Sequence, residues 1–125
     1  MAGIKIEDLA QAVANELAAY GEEVADGLKQ EVRRVAAETA QTLKATSPRD
    51  SGEYARGWAS RVEFENDGYI RARVYNRKKP QLTHLLENGH AKQNGGRVEG
   101  HPHIGPAERD AEKKLDSRVK VVVKG

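Results

Sequence analysis

The stretch LTHLLENGHAKQNGGRVEGHPHIGPA, residues 82–107 of the 125-residue chain, decides the fold. Its leucines have helical spacing and lead to Asn88-Gly89, a pair that tolerates the left-handed conformation at a helix end. Residues 90–100 contain three glycines and almost nothing apolar, which predicts an irregular loop. Pro106 then suits the first turn of a final helix. Loops this long in small domains are usually functional, so we expect a role for this one.

The chain before this stretch begins with a helical pattern. Apolar residues recur every three or four positions over residues 6–43, which predicts one long helix with a break near Tyr20-Gly21. Thr46-Ser47-Pro48 is predicted to end it, because the residue before a proline is displaced from the helical region. Residues 53–57 are expected to form a short helical turn.

Strand patterns follow. Residues 58–64 alternate and predict a half-buried strand whose inward face carries Trp58, Ser60, Val62 and Phe64. Asn66-Asp67-Gly68 predicts a hairpin turn. The return strand, residues 69–76, is expected to point inward with Ile70, Ala72 and Val74. After a helix over residues 106–115, the alternation over residues 118–124 predicts a third strand.

These elements predict an α+β fold in which a long N-terminal helix packs on a small, mainly antiparallel sheet. The chain length predicts a single domain, residues 1–125, with a helical arm over 1–46 and an α+β body over 47–125.

The composition limits the function classes. The chain has no cysteine, 32% charged residues and 5% aromatic residues, so we expect it to complete its burial against copies of itself. No apolar run is long enough to span a bilayer, and we expect a soluble, non-secreted protein. Residues 1–45 carry five basic and eight acidic side chains, whereas residues 46–125 carry sixteen and eleven. Such an uneven charge distribution suits head-to-tail contact between subunits. Solvated protein faces can give the same charge counts by chance.

Four histidines lie within twenty residues: His84, His90, His101 and His103. Zinc sites need three or four converging ligands, and neither cysteine nor a convergent spacing is present here. We therefore expect no metal and no other cofactor.

Catalysis is not predicted either. Ser51 and Ser60 lack an activating motif, and Asp50, Glu53 and Glu87 have ordinary turn, helix-start or surface roles.

A basic run with interleaved tyrosines is the strongest electrostatic feature. Its cations are Arg71, Arg73, Arg77, Lys78 and Lys79. The run is similar to surfaces that contact nucleic-acid backbones. The alternative is a solvated strand face that pairs with Glu63 and Glu65 across the hairpin.

Three short motifs follow one another along the chain. Residues 47–58, SPRDSGEYARGW, resemble the P-x-x-T-G-x-L/Y turn of tailed-phage neck proteins, with Ser51 where threonine is usual. Residues 85–90, LLENGH, are similar to their helix ending in E-x-G. Residues 102–107, PHIGPA, are similar to the P-H/F-x-x-P-A segment before their last helix. The resemblance extends over residues 5–118.

The family is the siphophage neck or tail-completion group of minor tail components. The resemblance implies a structural virion protein that forms a ring, a hexamer or dodecamer, at the head–tail junction and has no catalytic activity. Its implied partners are copies of itself, head-closure or connector proteins, and tail-tube or tail-terminator proteins. DNA would pass through the ring, and assembly would take place in the host cytoplasm without a membrane.

Roles are also expected for individual residues, from the motifs, from the charge pattern and from the glycine-rich loop, which departs from the family pattern. Fold-determining roles are expected for Pro48, Ser51, Gly52, Trp58, Glu87, Gly89, Pro102 and Pro106. The basic run is expected to face a partner or DNA. An assembly loop that orders against neighbours is expected to include His90, Lys92, Gln93, Asn94 and Arg97.

Overall fold

A computed structural model of the chain describes residues 5–7, 11–14, 17–49 and 52–124. The elements, in chain order, are β1 (Lys5–Glu7), β2 (Gln11–Ala14), a 3-10 turn (Leu17–Ala19), α1 (Glu22–Thr46), α2 (Glu53–Arg56), β3 (Trp58–Asn66), β4 (Tyr69–Asn76), a second 3-10 turn (Pro80–Leu82), α3 (Thr83–Asn88), β5 (Gly89–Ala91), β6 (Arg97–Glu99) and α4 (Ile104–Lys124). The strands form a four-stranded antiparallel sheet in the order β1-β2-β4-β3 and a separate β5-β6 hairpin.

Helix α1 starts later than the sequence pattern predicted. The helix predicted over residues 6–43 is wrong in its first part, because residues 5–7 and 11–14 are strands. β2 pairs with β4, which is distant in the sequence, and this long-range pairing outweighs the local helical spacing. The break near Tyr20-Gly21 is confirmed, since Gly21 is the N-cap of α1. The predicted end is also confirmed: α1 stops at Thr46, and Ser47 is extended before Pro48.

The hairpin of β3 and β4 forms where the sequence predicted it. Its turn contains Asp67 and Gly68, and the Gly68 N–H donates to the Asn66 side-chain oxygen at 3.0 Å. The inward residues of β4 are buried as expected: Ile70, Ala72 and Val74.

A β-bulge at Glu63 changes which side chains of β3 face the core. The register shifts between Val62 and Phe64, so Glu63 is an extra residue in β3. Phe64 therefore lies on the outer face, where its ring contacts Tyr69 edge-on at a centroid distance of 5.6 Å. The predicted inward burial of Val62 and Phe64 is wrong, since both are exposed. Trp58, at the other end of β3, is buried as predicted.

The same bulge turns Glu65 toward α1. Glu65 pairs in register with the buried Ile70, so the two share the inner face of the sheet. Its carboxylate contacts Arg33 at 2.6 Å and Lys29 at 3.3 Å. These ion pairs tie the far end of the hairpin to the helix that covers it.

Helix α4 continues to Lys124 without interruption. The short helix predicted from Pro106 is confirmed and is longer than expected. The strand predicted over residues 118–124 is wrong, because no glycine or proline interrupts the helix there. Val119 lies one turn after Leu115 and shares its buried face, whereas Val121 is largely exposed.

Residues 89–99 form a hairpin instead of the irregular loop that the sequence predicted. Gly89 pairs with Glu99 and Ala91 with Arg97. The turn between the strands contains Gly95 and Gly96, both at positive φ. Backbone hydrogen bonds hold this hairpin together, so its lack of apolar residues was a poor guide to its structure.

The core lies between α1, α4 and the inner face of the four-stranded sheet. α1 packs on β2, β3 and β4, and α4 packs on α1 and β1. The largest fully buried apolar side chains are Leu17, Leu28, Val32, Val35, Leu43, Ile70, Val74 and Val119. The predicted α+β class is confirmed, and the division into an arm over 1–46 and a body over 47–125 stays a prediction. Within the described residues, no helix is both long and apolar enough to cross a membrane.

Candidate functional site

The three segments that carry the family resemblance meet at one buried group of polar side chains, which we call the motif cluster. Its members are Ser47, Tyr54, Trp58, Glu87 and His103, contributed by the end of α1, by α2, β3 and α3, and by the segment before α4. All are buried except Glu87, whose side chain is 16% exposed. Three motifs that are separate in the sequence thus form a single structural unit.

Glu87 caps the N-terminus of α4 from a different helix. Its carboxylate accepts the backbone N–H groups of His103 at 2.7 Å, Ile104 at 2.8 Å and Gly105 at 2.9 Å. These donors have no partner within α4 and lie at the positive end of its dipole. Burial alone would raise the pKa of Glu87, but the three N–H groups and the neighbouring His103 lower it below its ordinary value. The carboxylate is therefore held in its charged form.

His103 connects this cap to Tyr54. Its Nδ1 lies 2.7 Å from the His101 carbonyl oxygen and 3.0 Å from the Glu87 carboxylate, so Nδ1 carries a hydrogen. Its Nε2 lies 2.7 Å from the Tyr54 hydroxyl oxygen. Burial, with a smaller contribution from Glu87, raises the pKa of the Tyr54 hydroxyl well above its ordinary range. Tyr54 therefore stays protonated, and its hydroxyl is hydrogen-bonded to Nε2 of His103.

Aromatic contacts and two further hydrogen bonds complete the motif cluster. The Tyr54 ring lies edge-on to Trp58 and to His103, each at a centroid distance of 5.6 Å. The Trp58 indole N–H donates to the Ser47 hydroxyl at 2.8 Å, and the Asn76 amide donates to the Tyr54 carbonyl at 2.8 Å. A polar interior is stabilising only when its donors and acceptors are paired, and these are.

This arrangement positions backbone segments and does not activate a group for chemistry. Raising the pKa of the Tyr54 hydroxyl disfavours its nucleophilic form. The Ser47 hydroxyl accepts the Trp58 N–H and has no base beside it in the described hydrogen bonds. The motif cluster is accordingly a structural site that fixes α1, α2, α3 and α4 against β3.

The other predicted fold residues lie around this cluster. Gly52 has a φ of 79°, and its carbonyl accepts the Arg56 N–H as α2 begins. Gly89 has a φ of 78° and ends α3. Pro102 precedes the cap, and Pro106 lies in the first turn of α4. Asp50 and Ser51 lie outside the described residues.

The four histidines are spread over different elements and do not converge. His84 is on α3, His90 is on β5, and His101 is an exposed residue before α4. Among the described residues, no three His, Asp or Glu side chains are grouped so that they could hold a metal ion. His103, the buried histidine, is engaged within the motif cluster.

The basic run divides into paired and unpaired cations. Arg71 and Arg73 contact Glu63 at 3.3 Å and 3.5 Å. The ion pairing across the hairpin, which the sequence predicted as the alternative to a nucleic-acid surface, is therefore found for Glu63. Lys79 lies 3.8 Å from Glu53. Arg77 and Lys78 are exposed and have no ion pair in the described part of the chain.

The tyrosines of the run contribute one cation–π contact, Arg61 over the Tyr75 ring at 5.0 Å.

A basic cleft lies at the end of the sheet where β3 begins and β4 ends. The cleft has a volume of about 600 Å³ and its lining includes Trp58, Arg61, Arg73, Tyr75, Arg77 and His84. No acidic residue of the described part of the chain lines it.

An acidic cleft of about 420 Å³ lies at the opposite end of the hairpin. The start of α1 and the β3-β4 turn form it, and its lining includes Tyr20, Glu22, Asp26, Lys29 and Asp67.

The residues predicted as an assembly loop lie together on the β5-β6 hairpin. All five are exposed: His90 and Arg97 on the strands, and Lys92, Gln93 and Asn94 in or beside the turn. Arg97 donates to the Asn88 carbonyl, which holds the hairpin against the end of α3.

Sequence reasoning missed several members of the motif cluster. Tyr54 and His103 lie within the quoted motifs, but nothing in the spacing indicated that they touch across 49 positions. Ser47 and Asn76 were interpreted as a helix end and a strand end. The sequence offered one signal for these members: a polar or aromatic residue at a position where the periodicity predicts an apolar one.

The chain has a small α+β fold in which the polar side chains of the motif cluster pair with one another. Residues 11–89 match the HK97-gp10-like family model, described as "Bacteriophage HK97-gp10, putative tail-component". The chain belongs to this family of phage tail components, which confirms the resemblance. No curated protein and no solved structure gave a significant match.

Proposed function

We propose that this chain is a structural protein of the head–tail junction, acting in the neck or in tail completion. It forms a ring, a hexamer or dodecamer, that joins the tail to the head and lets DNA pass. The family match over residues 11–89 carries this proposal, because a phage tail component acts within the virion by binding other structural proteins. The match extends from β2 to the end of α3 and so includes two of the three motifs.

The architecture supports a role in assembly. The polar groups of the motif cluster are paired with one another, so they hold the subunit together and are not available to partners. The charged clefts and the β5-β6 hairpin are at the surface instead. The proposed partners are other copies of the chain, a head-closure or connector protein, and a tail-tube or tail-terminator protein. The proposed location is the virion, with assembly in the host cytoplasm.

Two sets of exposed residues are proposed as contact surfaces. The basic residues are proposed to face a neighbouring protein or the DNA: Arg71, Arg73, Arg77, Lys78 and Lys79. The hairpin residues are proposed to bind an adjacent ring: His90, Lys92, Gln93, Asn94 and Arg97. None of these residues is buried in the chain's own core.

The alternative function, a small nucleic-acid-binding protein that uses the strand 71–79, has weaker support. Glu63 lies among Arg61, Arg71 and Arg73 at 3.3–3.7 Å and neutralises part of the charge that a phosphate backbone would need. Non-specific contact with passing DNA remains part of the ring proposal.

Interrupting the gene in an inducible phage that carries it tests the proposal. We expect lysates to contain filled heads and free tails that fail to join, and we expect the wild-type gene in trans to restore complete particles. Electron microscopy of the lysates is the measurement. Complete infectious particles without the protein would overturn the proposal.

A further inference from the structure

The basic cleft is a concave site with more positive charge than its own residues neutralise. Arg61, Arg73 and Arg77 line it, and Trp58 and Tyr75 contribute apolar wall. Glu63 contacts Arg61 at 3.7 Å and Arg73 at 3.5 Å, so one carboxylate is shared between two guanidinium groups. Arg77 has no ion pair within the described part of the chain. Guanidinium groups favour bidentate contact with carboxylates, so the cleft is suited to an acidic group from outside.

The acidic cleft has the complementary composition. Glu22, Asp26 and Asp67 line it and have no ion pair among the described residues. Its one described cation, Lys29, is directed to Glu65 at 3.3 Å. Three carboxylates in this cleft therefore correspond to three arginines in the other.

The two clefts cannot neutralise each other within one chain. β4 spans the hairpin from Tyr69 to Asn76, so the acidic and basic clefts are separated by eight strand residues. At the rise of an antiparallel strand that distance is about 25 Å. An ion pair requires contact at about 4 Å. Complementary charges at opposite ends of a rigid hairpin can meet only between molecules.

We propose that the basic cleft of one copy binds the acidic cleft of the next copy, head to tail. This proposal rests on the proposed ring and deepens it by assigning the two surfaces of the subunit contact. Such a contact is heterologous: each copy uses one surface for one neighbour and the other surface for the next, and repetition closes a ring when the rotation permits. The charges of such a contact set its register and the rate of encounter.

The partner chemistry is a carboxylate cluster rather than a phosphate backbone. Glu63 already lies among the arginines and would repel a polyanion that passed over this face. Within the proposed contact, the carboxylates of a second copy meet Arg77, the arginine of the cleft that Glu63 does not contact. A nucleic acid in this cleft is the competing outcome of the experiment below.

Charge reversal on each side, followed by mixing, tests this contact. Sedimentation velocity at low salt is recorded for the wild type, for Arg77→Glu, for Asp26→Arg and for an equal mixture of the two variants. Both side chains are exposed, and the backbone bond from the Arg77 N–H to the Gly57 carbonyl is retained, so both variants should fold. Lys113→Glu and Glu112→Arg, exposed on α4, are the charge-matched controls.

We expect the wild type and both controls to self-associate, and each cleft variant to do so at least about tenfold more weakly. The mixture should regain association, because the intact acidic cleft of Arg77→Glu meets the intact basic cleft of Asp26→Arg. A monomeric wild type, an Arg77→Glu variant that associates like the wild type, or a mixture that stays dissociated would overturn the proposal.

Binding of a short DNA duplex, followed by fluorescence anisotropy, distinguishes the competing ligand. Loss of DNA binding in Arg77→Glu with unchanged self-association would assign the cleft to nucleic acid and overturn the head-to-tail contact. If the head-to-tail contact is wrong, the result of the gene interruption does not change. The two experiments therefore test the subunit contact and the proposed function separately.

Discussion

Glu87 and Glu63 are both carboxylates surrounded by donors, yet they have different consequences for the protein. Glu87 accepts three backbone N–H groups that are fixed by the start of α4. Glu63 contacts three arginine side chains on the outer face of the sheet, each at least 40% exposed. Fixed, partly buried donors contribute to stability, whereas flexible exposed cations contribute little to it and remain available to other molecules.

The same contrast separates the motif cluster from the charged clefts. In the motif cluster, side chains from three distant segments pair with one another and are largely buried. In the clefts, most charges have no partner in the described part of the chain. Residues of the three motifs therefore hold the fold, and most residues of the proposed contact surfaces lie outside these motifs.

Removing the Glu87 carboxylate should have the largest effect. Glu87→Ala leaves three N–H groups at the start of α4 without their acceptor, and we expect the free energy of unfolding to fall by about 2–4 kcal/mol. Urea unfolding followed by the fluorescence of Trp58, the single tryptophan, measures the change.

Glu112→Ala is the matched control for this prediction, because Glu112 is an exposed glutamate of α4. Its effect should be within about 0.5 kcal/mol. An equal loss in both variants would show that Glu87 has no special role as a cap.

Removing the Tyr54 hydroxyl should have the next largest effect. Tyr54→Phe leaves the buried His103 Nε2 without its hydrogen-bond partner, and we expect a loss of about 1–2 kcal/mol in the free energy of unfolding. Tyr69→Phe is the control, since Tyr69 lies half-buried on the outer face and no hydrogen bond of its hydroxyl is found in the described structure. A Tyr54→Phe variant as stable as Tyr69→Phe would show that the Tyr54–His103 hydrogen bond does not stabilise the fold.

Acid should weaken the motif cluster. The pKa of Glu87 is lowered in the folded state, so the unfolded chain binds the proton more readily. The stabilisation is present above the ordinary pKa of 4.5 and is lost as the pH falls through the folded value. We therefore expect the stability difference between wild type and Glu87→Ala to shrink as the pH falls from about 6 to about 3.

Part of the acid dependence should survive in the Glu87→Ala variant. Hydrogen bonds from Arg118 lower the pKa of Glu38, and hydrogen bonds from Arg33 lower that of Glu65. Both pairs are more accessible to solvent than Glu87 and should contribute less than it does, and their contribution should decrease with added salt. A stability difference between wild type and Glu87→Ala that stays constant down to low pH would contradict the assigned cap.

Reversing the charges of Arg71 and Arg73 on the outer face of the sheet should have the smallest of these effects on stability. Its main effect should be on self-association. We expect Arg71→Glu with Arg73→Glu to leave the subunit folded, with a loss of about 1 kcal/mol because Glu63 gains like-charged neighbours. Association should be impaired most at low salt, as seen by sedimentation beside circular dichroism. Unchanged association at every salt concentration would remove this face from the subunit contact.

The sequence predicted the elements that depend on local chemistry. The end of α1 at Ser47-Pro48, the turn at residues 66–68 and the end of α3 at Gly89 were predicted because proline and glycine restrict or permit particular backbone angles. The three motifs predicted the family, because each marks the start or end of an element.

The failures came from long-range contacts and ambiguous periodicity. Residues 11–14 have helical spacing, yet they add to the sheet beside β4. The valines of residues 118–124 fit both periods, and Val119 on the buried face of α4 decides for helix. The bulge at Glu63 cannot be recognised from the sequence. The alternation of apolar and polar residues does not show where one strand contains an extra residue relative to its partner.

The candidate sites were predicted unevenly for the same reason. Glu87 and Trp58 were named as fold residues, but their partners Ser47 and His103 became visible only through contacts across the fold. The basic run was recognised from composition. The pairing of Arg71 and Arg73 with Glu63 was one of the alternatives predicted from the sequence, whereas the bulge that turns Glu65 toward α1 was not predicted.

The most direct test is sedimentation velocity of Glu87→Gln and Arg77→Glu, at a temperature where circular dichroism finds both folded. If the motif cluster holds the fold and the clefts hold the assembly, Glu87→Gln associates like the wild type and Arg77→Glu does not. Wild-type association by Arg77→Glu together with dissociation of folded Glu87→Gln would contradict the account.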